Sequence, residues 1–505
     1  MRYFSIWALA SLLVLLSVPI AAQTVCRVTP TGNGANSGAN WAQAMDLRSA
    51  LAAPACQELW VARGLYKPGA SGDREATFEV RANTAVYGGF LGTETAREQR
   101  DFRLNRTVLS GDIDNNDIRD ADGVVARAAD IAGANSHHVL RMKGSLDPIA
   151  ASTLLDGLII TAGDATGTTP ADGGGLYCDG FFTGSVCSPT LANLVFSGNR
   201  ASRGGAIFLD GYSGGVSSPA IRHSQFNGNS AGIGGALASD ARSGTSDPVL
   251  ESVVFRDNRA DVDGGAVYLF DNCNFTMRGG AFVGNSAEFQ GGAIYTGGDG
   301  GFVNLRLANI TFDANQVTTL SVNSARGGAI SAANTRTTTP GTANLLFENL
   351  TFTNNANVSL GKAVYTRNLS SDPAALTQTY RNVIVWGNGG GEPGIGLALE
   401  FDFAQQWTID RAILQDACAA CTNTVMMDPL LGPIGDNGGG IPTRVPQAGS
   451  PAIDTGSNAV CAGPNVNNID ARGVTRPQGP QCDLGAVEAA AGPPPDIILR
   501  NGFEA

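Results

Sequence analysis

Apolar positions recur in a single frame between residues 155 and 390. Aligned on a large apolar anchor, the frame gives Phe196, Phe226, Phe255, Phe282, Phe312 and Phe352, with Ile160 before them and Val385 after. Steps of 27 to 40 residues fall in the solenoid range, and their spread places insertions in loops rather than in the frame. Five residues before each anchor stands another apolar residue (Leu155, Leu191, Ile221, Leu250, Met277, Leu307, Phe347, Tyr380). Two before, most are apolar (Leu158, Leu194, Val253, Ile310, Leu350, Val383). Anchor and anchor-minus-two share one face of a strand, because strand side chains alternate. The step of three to the next apolar residue breaks that alternation, so the chain bends there. Asn193, Asn309, Asn349 and Asn382 share the bend position with Gly157, Gly279, Ser252 and His223. Asn and Gly tolerate the left-handed backbone that such a corner requires.

Three residues after the anchors come Asn199, Asn229, Asn258, Asn285, Asn315, Asn355 and Asn388, and only the first turn departs, with Gly163. A Gly-Gly-Ala follows in most copies. No stretch of the repeat keeps a 3.6-residue period, and Gly-Gly would cost a helix about 2 kcal/mol. Each coil therefore reads as strand, corner, strand, Asn corner, Gly-Gly, strand. Stacked coils pair equivalent strands in parallel about 4.8 Å apart. The Phe residues then form an internal stack, each contributing about 1.5–3 kcal/mol on burial, and the Asn amides bond the coils above and below. The predicted fold is all-β, a right-handed parallel β-helix, since parallel crossovers are right-handed. Residues 40–54 (NWAQAMDLRSALAAP) fit one amphipathic helix capping the first coil. TAVYGGF, RTVLSGDID and SHHVLRM read as early, irregular coils.

The paired FxxN and GGA[ILV] tetrapeptides resemble the repeats of chlamydial polymorphic outer-membrane proteins, over residues 155–390. That resemblance implies a surface β-helix of the pectin-lyase-like solenoid class. Those proteins end in an autotransporter barrel; no run of amphipathic strands matches it here, so their export route does not carry over. DPLLGPIGDNGG, GSPAIDTG, DARGVTRP and CDLGAVE, in that order, resemble the choice-of-anchor Q module of bacterial exported β-helix proteins, which implies extracellular or cell-surface display. The expected organisation is a signal peptide at 1–22, an N-terminal cap and first coils at 23–154, the repeats at 155–424, the C-terminal module at 425–490, and a Pro-rich spacer with a short tail at 491–505.

Composition changes the picture in three respects. Arg2, the run FSIWALASLLVLLSVPI and Ala21-Ala22 have the order of a secretory signal peptide, so the mature chain is expected to be exported and to carry no transmembrane span. Nine Cys in an exported chain predict disulfides. Pairing neighbours gives Cys26–Cys56, Cys178–Cys187, Cys418–Cys421 and Cys461–Cys482, with Cys273 left over; the lone CxxC reads as a structural loop, not a zinc or redox site. A net charge of −12 argues against nucleic acid and against anionic membranes as partners.

Candidate chemistry is sparse. Nucleophilic triads, phosphate loops and dinucleotide fingerprints are absent, as are the NTD, GHG and RIK motifs of pectin-cleaving solenoids. His137 and His138 in SHHVL and His223 at a corner read as structural. The Asp-rich GDIDNNDIRDADG (111–123) fails the EF-hand template and reads as a solvated turn. Asp179, Asp210 and Asp240 each fall four residues past the residue after a Gly pair, and Asp271 falls five past it. In stacked coils they would form a ladder whose like charges raise one another's pKa unless a cation sits between. Two readings stay open for that ladder, a calcium site or the paired acids of a glycosidase, beside strand-ending Asx turns. Arg203, Arg222 and Arg278 share no evident register. No cofactor beyond a calcium ion is expected. The sequence favours a non-catalytic surface protein whose loops meet a polysaccharide or cell-surface ligand, with a secreted polysaccharide lyase or glycoside hydrolase as the alternative.

Overall fold

Left-handed backbone at three positions turns each coil. In the coil around Phe196 these are Asn193 (φ 52°), Gly198 (58°) and Gly204 (59°), and in the next His223 (47°), Gly228 (58°) and Gly234 (59°). The second Gly of the pair serves a different need. A Cβ on Gly205 would lie 2.4 Å from the carbonyl oxygens of both Gly235 and Ser230, so the coils close only around a bare Cα. The computed structural model describes residues 24–298, 302–321, 324–334, 342–357, 359–389 and 399–489. The expected signal peptide and the spacer and tail at 491–505 lie outside the described residues.

The chain is a right-handed parallel β-helix. An 18-stranded sheet bends over the first corner, where paired segments such as Thr190–Ala192 and Val195–Ser197 merge in later coils into single bent strands such as Cys273–Val283 and Val303–Asp313. A ten-stranded second sheet runs from Phe78–Glu79 to Leu399–Asp402. A third sheet of five short strands, Arg200–Arg203 to Gln316–Val317, lies between the Asn corner and the Gly pair. The predicted coil lacks this third sheet. Its strands bury only one small side chain each (Ala201, Ala231, Ala260, Ala287, Val317), too little to print an alternating pattern.

The anchors face inward in register. Phe196, Phe226, Phe255, Phe282, Phe312 and Phe352 are fully buried, and successive rings lie 5.1, 4.7, 4.7, 4.8 and 4.8 Å apart. The column continues through Ile160 to Leu109 and through Val385 to Leu414. Beside it, each Asn from Asn199 to Asn355 donates from Nδ2 to Oδ1 of the next Asn at 2.9–3.0 Å. Gly163 N–H opens this ladder at Asn199, and Gln415 Oε1 closes it at Asn388. Asn258→Ala is expected to cost about 1–3 kcal/mol, because the Phe226 carbonyl and the N–H donors of Asn229 lose their partners inside the wall. An unchanged urea midpoint would contradict that assignment.

The N-terminal cap differs from the single predicted helix. A 3-10 turn at Trp41–Gln43 and a helix at Leu47–Ala52 are separated by Met45, which bridges Val28 as a strand residue. Met45 N–H donates to the Arg27 carbonyl, and Asp46 caps the second helix by accepting from Ser49 N–H. Edge pairing to the first strand outcompetes helix continuity at that residue.

The C-terminal segment folds back along the solenoid flank. Ile441 packs on Val254 and Ala281, Val466 and the Cys461–Cys482 disulfide on Ala308, and Ala452 and Leu484 on Ile384 and Ile413. Three corner asparagines receive it. Asn309 donates to the Ile469 carbonyl (2.9 Å), Asn349 to Cys461 Sγ (3.4 Å), and Asn382 Oδ1 accepts from Ser457 N–H (2.8 Å). The DARGVTRP and CDLGAVE letters close a buried ionic network. Asp470 pairs with Arg472, and Arg476 with Glu488, all at most 6% exposed. Disulfides join Cys26–Cys56, Cys178–Cys187, Cys418–Cys421 and Cys461–Cys482, and Cys273 is a buried free thiol whose pKa burial pushes up. No helix among the described residues is long and apolar enough to cross a membrane.

Candidate functional site: the outer face of the second sheet

Strands of the second sheet alternate their side chains, so two columns point outward. One holds Tyr177, Phe208, Ala238, Tyr268 and Tyr295, and the other Asp179, Asp210, Asp240 and Phe270. Three of the four predicted ladder residues are therefore in register. Asp271 is not: Phe270 takes the rung, and Asp271 lies one residue beyond it in a left-handed turn (φ 51°). The strand keeps four residues, Val267–Phe270, so the extra residue counted in the sequence puts Asp271 in the turn instead of shifting the register.

Each rung has its own partner. Asp179 faces Arg141 (3.7 Å) and Ser145 (3.3 Å). Asp210 Oδ2 accepts from the Tyr177 hydroxyl at 2.7 Å. Burial raises the Asp210 pKa above the ordinary carboxylate value, and the charges of Asp179 and Asp240 add to that rise while the Tyr177 hydrogen bond opposes it. Asp240 is clamped by two guanidinium groups: Arg242 donates from Nε (3.0 Å) and Nη2 (2.7 Å), and Arg203 from Nη1 (3.0 Å). Arg203 also makes a bidentate pair with Asp172 (2.8 and 2.7 Å) and lies 4.3 Å over the Phe208 ring. A further column stands past the rungs, where Phe181 stacks on Tyr212 at 5.4 Å and Arg242 lies 5.0 Å over Tyr212. Phe182 beside it is 58% exposed.

Both Asp240 oxygens already accept from arginines, so that carboxylate is not open to attack a sugar or activate water. The ladder does not fit a calcium ion either, since guanidinium and hydroxyl donors stand where a cation would bind. Among the described residues, no three His, Cys, Asp or Glu side chains are grouped to hold a metal. The Asp-rich turn is likewise organised by cations of the chain: Lys67 Nζ reaches the Asp112 carbonyl and Asn115, and Arg119 lies 3.4 Å from Asp112. This segment is no solvated turn throughout. Val124, Val125 and Ile131, which follow it, cover Val108, Ile159 and Ala162 on the first sheet.

Two of the three histidines, His137 and His138, stand beside this face, and His223 stands at a bend of the first sheet. His137 Nδ1 lies 3.2 Å from the Asp164 carbonyl, and His223 occupies its corner. His138 lies 3.1 Å from the Gly173 carbonyl and stacks on Tyr177 at 5.5 Å. Burial pulls the His138 pKa down to about 4. The unfolded chain, with an ordinary value near 6.5, thus takes up this proton first as pH falls. Stability held at pH 7 is lost between pH 6.5 and 4, by about 2–3 kcal/mol from this group. His138→Gln should flatten that part of the stability profile in urea titrations at pH 7 and 4.5. An equal drop in both proteins would refute the assignment.

Pattern reading misses the aromatic column, although its signal is present. The residue after GGA[ILV] is aromatic in three of five copies (Phe208, Tyr268, Tyr295) and is Ala238 or Ser331 in the other two, and GGGL is followed by Tyr177. Arg222 and Arg278 also prove to share a column, two coils apart with Glu251 between them, and Arg222 pairs with Glu251 at 3.3 Å. Both stand four before an anchor, a count that the expectation of no shared register overlooked.

Residues 193–210 match the Chlamydia polymorphic membrane protein repeat. The matched span runs from the first corner through Phe196, Asn199 and the Gly pair to Phe208 and Asp210, which makes it one coil with one rung of the ladder. No curated protein matches the chain. The crystal structure of pectate lyase Pel9A superposes with a TM-score of 0.40 at 12% sequence identity, covering 93% of this chain and 98% of that chain.

Proposed function

We propose that this protein is an exported solenoid of the cell surface or extracellular space, non-catalytic, which binds a glycan through the outer face of its second sheet. One observation carries the reading: the ladder carboxylates are paired to arginines and tyrosine beside the part-exposed ring stacks Phe181–Tyr212 and Tyr268–Tyr295, a surface suited to holding sugars. The leader-like first 22 residues, the disulfides and the similarity of one coil to a membrane-protein repeat support export. The resemblance of residues 425–490 to choice-of-anchor modules supports display at the surface, a role that goes beyond the fold itself.

A polysaccharide lyase or glycoside hydrolase is the second reading, favoured by the raised pKa of Asp210 between two other carboxylates. Two measurements separate them. A glycan array and cell fractionation should give binding and an extracellular or surface pool. A panel of acidic and neutral polysaccharides should give no turnover, in wild type or in Asp210→Asn. Turnover that Asp210→Asn abolishes would end the non-catalytic reading.

A further inference from the structure

The two ends of the solenoid are finished differently. At the first, Leu47, Ala50 and Leu51 of the cap helix are buried on the core. At the last, Leu399–Asp402 pairs only with Val364–Asn368, and Thr422–Val425 only with Gln406–Leu414, so each keeps one unpaired edge among the described residues. Between these edges the core opens in a cavity of about 600 Å³, lined by Val385, Leu399, Phe401, Trp407 and Leu414 and by residues 415–420. The Trp407 and Phe401 rings lie 5.3 Å apart and stay part-exposed. On the same last windings Phe403, Val425, Met426 and Met427 are exposed. An end with bare strand edges over an apolar core needs a cover.

The edges call for a polypeptide, because a small apolar ligand would fill the cavity and leave Leu399–Asp402 without a strand partner. A second copy fits poorly: Glu400 and Asp416 line the cavity, and an end-to-end pair would set these carboxylates against their own duplicates. The chain itself carries a better match. Its described residues stop at Ala489, whose N–H donates to the Asp483 carboxylate at 2.6 Å, and the adjoining Leu484 packs on Ile413 of the winding that floors the cavity. Residues 490–495 (AAGPPP) span about 20 Å when extended. After them comes DIILRNGF, in which three apolar residues, Ile497, Ile498 and Leu499, precede the basic Arg500.

We infer that residues 497–500 add one strand to the open edge of Leu399–Asp402 and cap the last winding. Continuing the parallel register places Ile497 on Leu399, Ile498 on Glu400, Leu499 on Phe401 and Arg500 on Asp402. Leu399 and Phe401 face the cavity, so strand alternation sends Ile497 and Leu499 into it. Arg500 then joins the outward column of Arg367 and Asp402, which lie 3.6 Å apart, and gives that carboxylate a second cation. A register shifted by one residue would send Leu499 outward and Arg500 into the apolar cavity. The cap does not depend on the glycan-binding reading of the second sheet.

Hydroxyl-radical footprinting read by mass spectrometry at Trp407 and Phe401 tests it, comparing the full chain with one ending at Pro495. Labelling of both rings should rise at least fivefold on truncation, and a synthetic DIILRNGFEA peptide should restore protection. Arg500→Glu in the peptide should weaken that restoration at least fivefold, and a peptide of the same composition in scrambled order should give none. If the truncated chain fails to fold, the full chain carrying Leu499→Asp decides, with the same rise expected from a change outside the solenoid. Equal labelling with and without the tail overturns the inference. So does protection of the full chain that is lost on dilution, which assigns the end to a second copy. Equal restoration by the scrambled or the Arg500→Glu peptide overturns the register and the strand with it.

Discussion

Arg476→Met is expected to destabilise the C-terminal segment by about 3–5 kcal/mol. The Arg476 side chain is fully buried and donates to the carbonyls of Asp483 (2.9 Å) and Gly485 (2.8 Å) and to Glu488 Oε2 (3.2 Å). Burial lowers the pKa of this guanidinium and raises that of Glu488, so each ion depends on the other for its charge. Removing the cation strands one carboxylate and two carbonyls in a space that water does not reach. Arg476→Met combined with Glu488→Leu should recover only part of the loss, because Glu488 also accepts from the N–H groups of Gln478 (2.9 Å) and Asp483 (3.0 Å). Hydrogen exchange of residues 441–489, compared with that of the coils, reads the effect directly. Equal protection in the single variant and the wild type would overturn the account.

Phe255→Ala is expected to cost about 3–5 kcal/mol. Its ring lies 4.7 Å from both Phe226 and Phe282, nearly parallel to each, so truncation removes two stacking contacts and leaves a void in the middle of the column. Coil closure fixes the spacing of the neighbours by parallel hydrogen bonds on either side, so they cannot collapse into the gap. Phe255→Leu should cost far less, under about 1.5 kcal/mol, since a hydrophobic side chain still occupies the column. Guanidinium denaturation followed by circular dichroism distinguishes them. A near-neutral alanine variant would remove the stack from the stabilising interactions.

The contrast between these two sites explains what was legible in the sequence. Phe255 and Asn258 repeat at fixed offsets in neighbouring coils, and stacking turns equal offsets into contacts, so their environment follows from counting. Asp179, Asp210 and Asp240 are placed by the same rule. The count fails at Asp271, where one added residue is absorbed in a turn, and at Met45, where strand pairing interrupts a helix. Arg476 belongs to no repeat, and its partners Glu488 and Asp483 become neighbours only after the segment has wrapped on itself. The outward-facing Val254, Ala281, Ile384 and Ile413 hinted that something covers that flank. Nothing in their spacing identified Ile441, Ala452 and Leu484 as the cover. At the candidate site, carboxylate spacing was readable, but the partners that pair with the acids come from other columns: Arg203 from the third sheet and Arg242 from a loop of its own length.

The sideways attachment of the C-terminal segment governs how this molecule carries force. A tension applied to residues 441–489 enters the solenoid through Asp313, Thr351 and Asn382, which lie on different windings. Their bonds are loaded together in shear, whereas the same tension on the last strand of the helix would peel rungs off one after another. A tether attached at that flank would therefore hold against loads that unravel the open end.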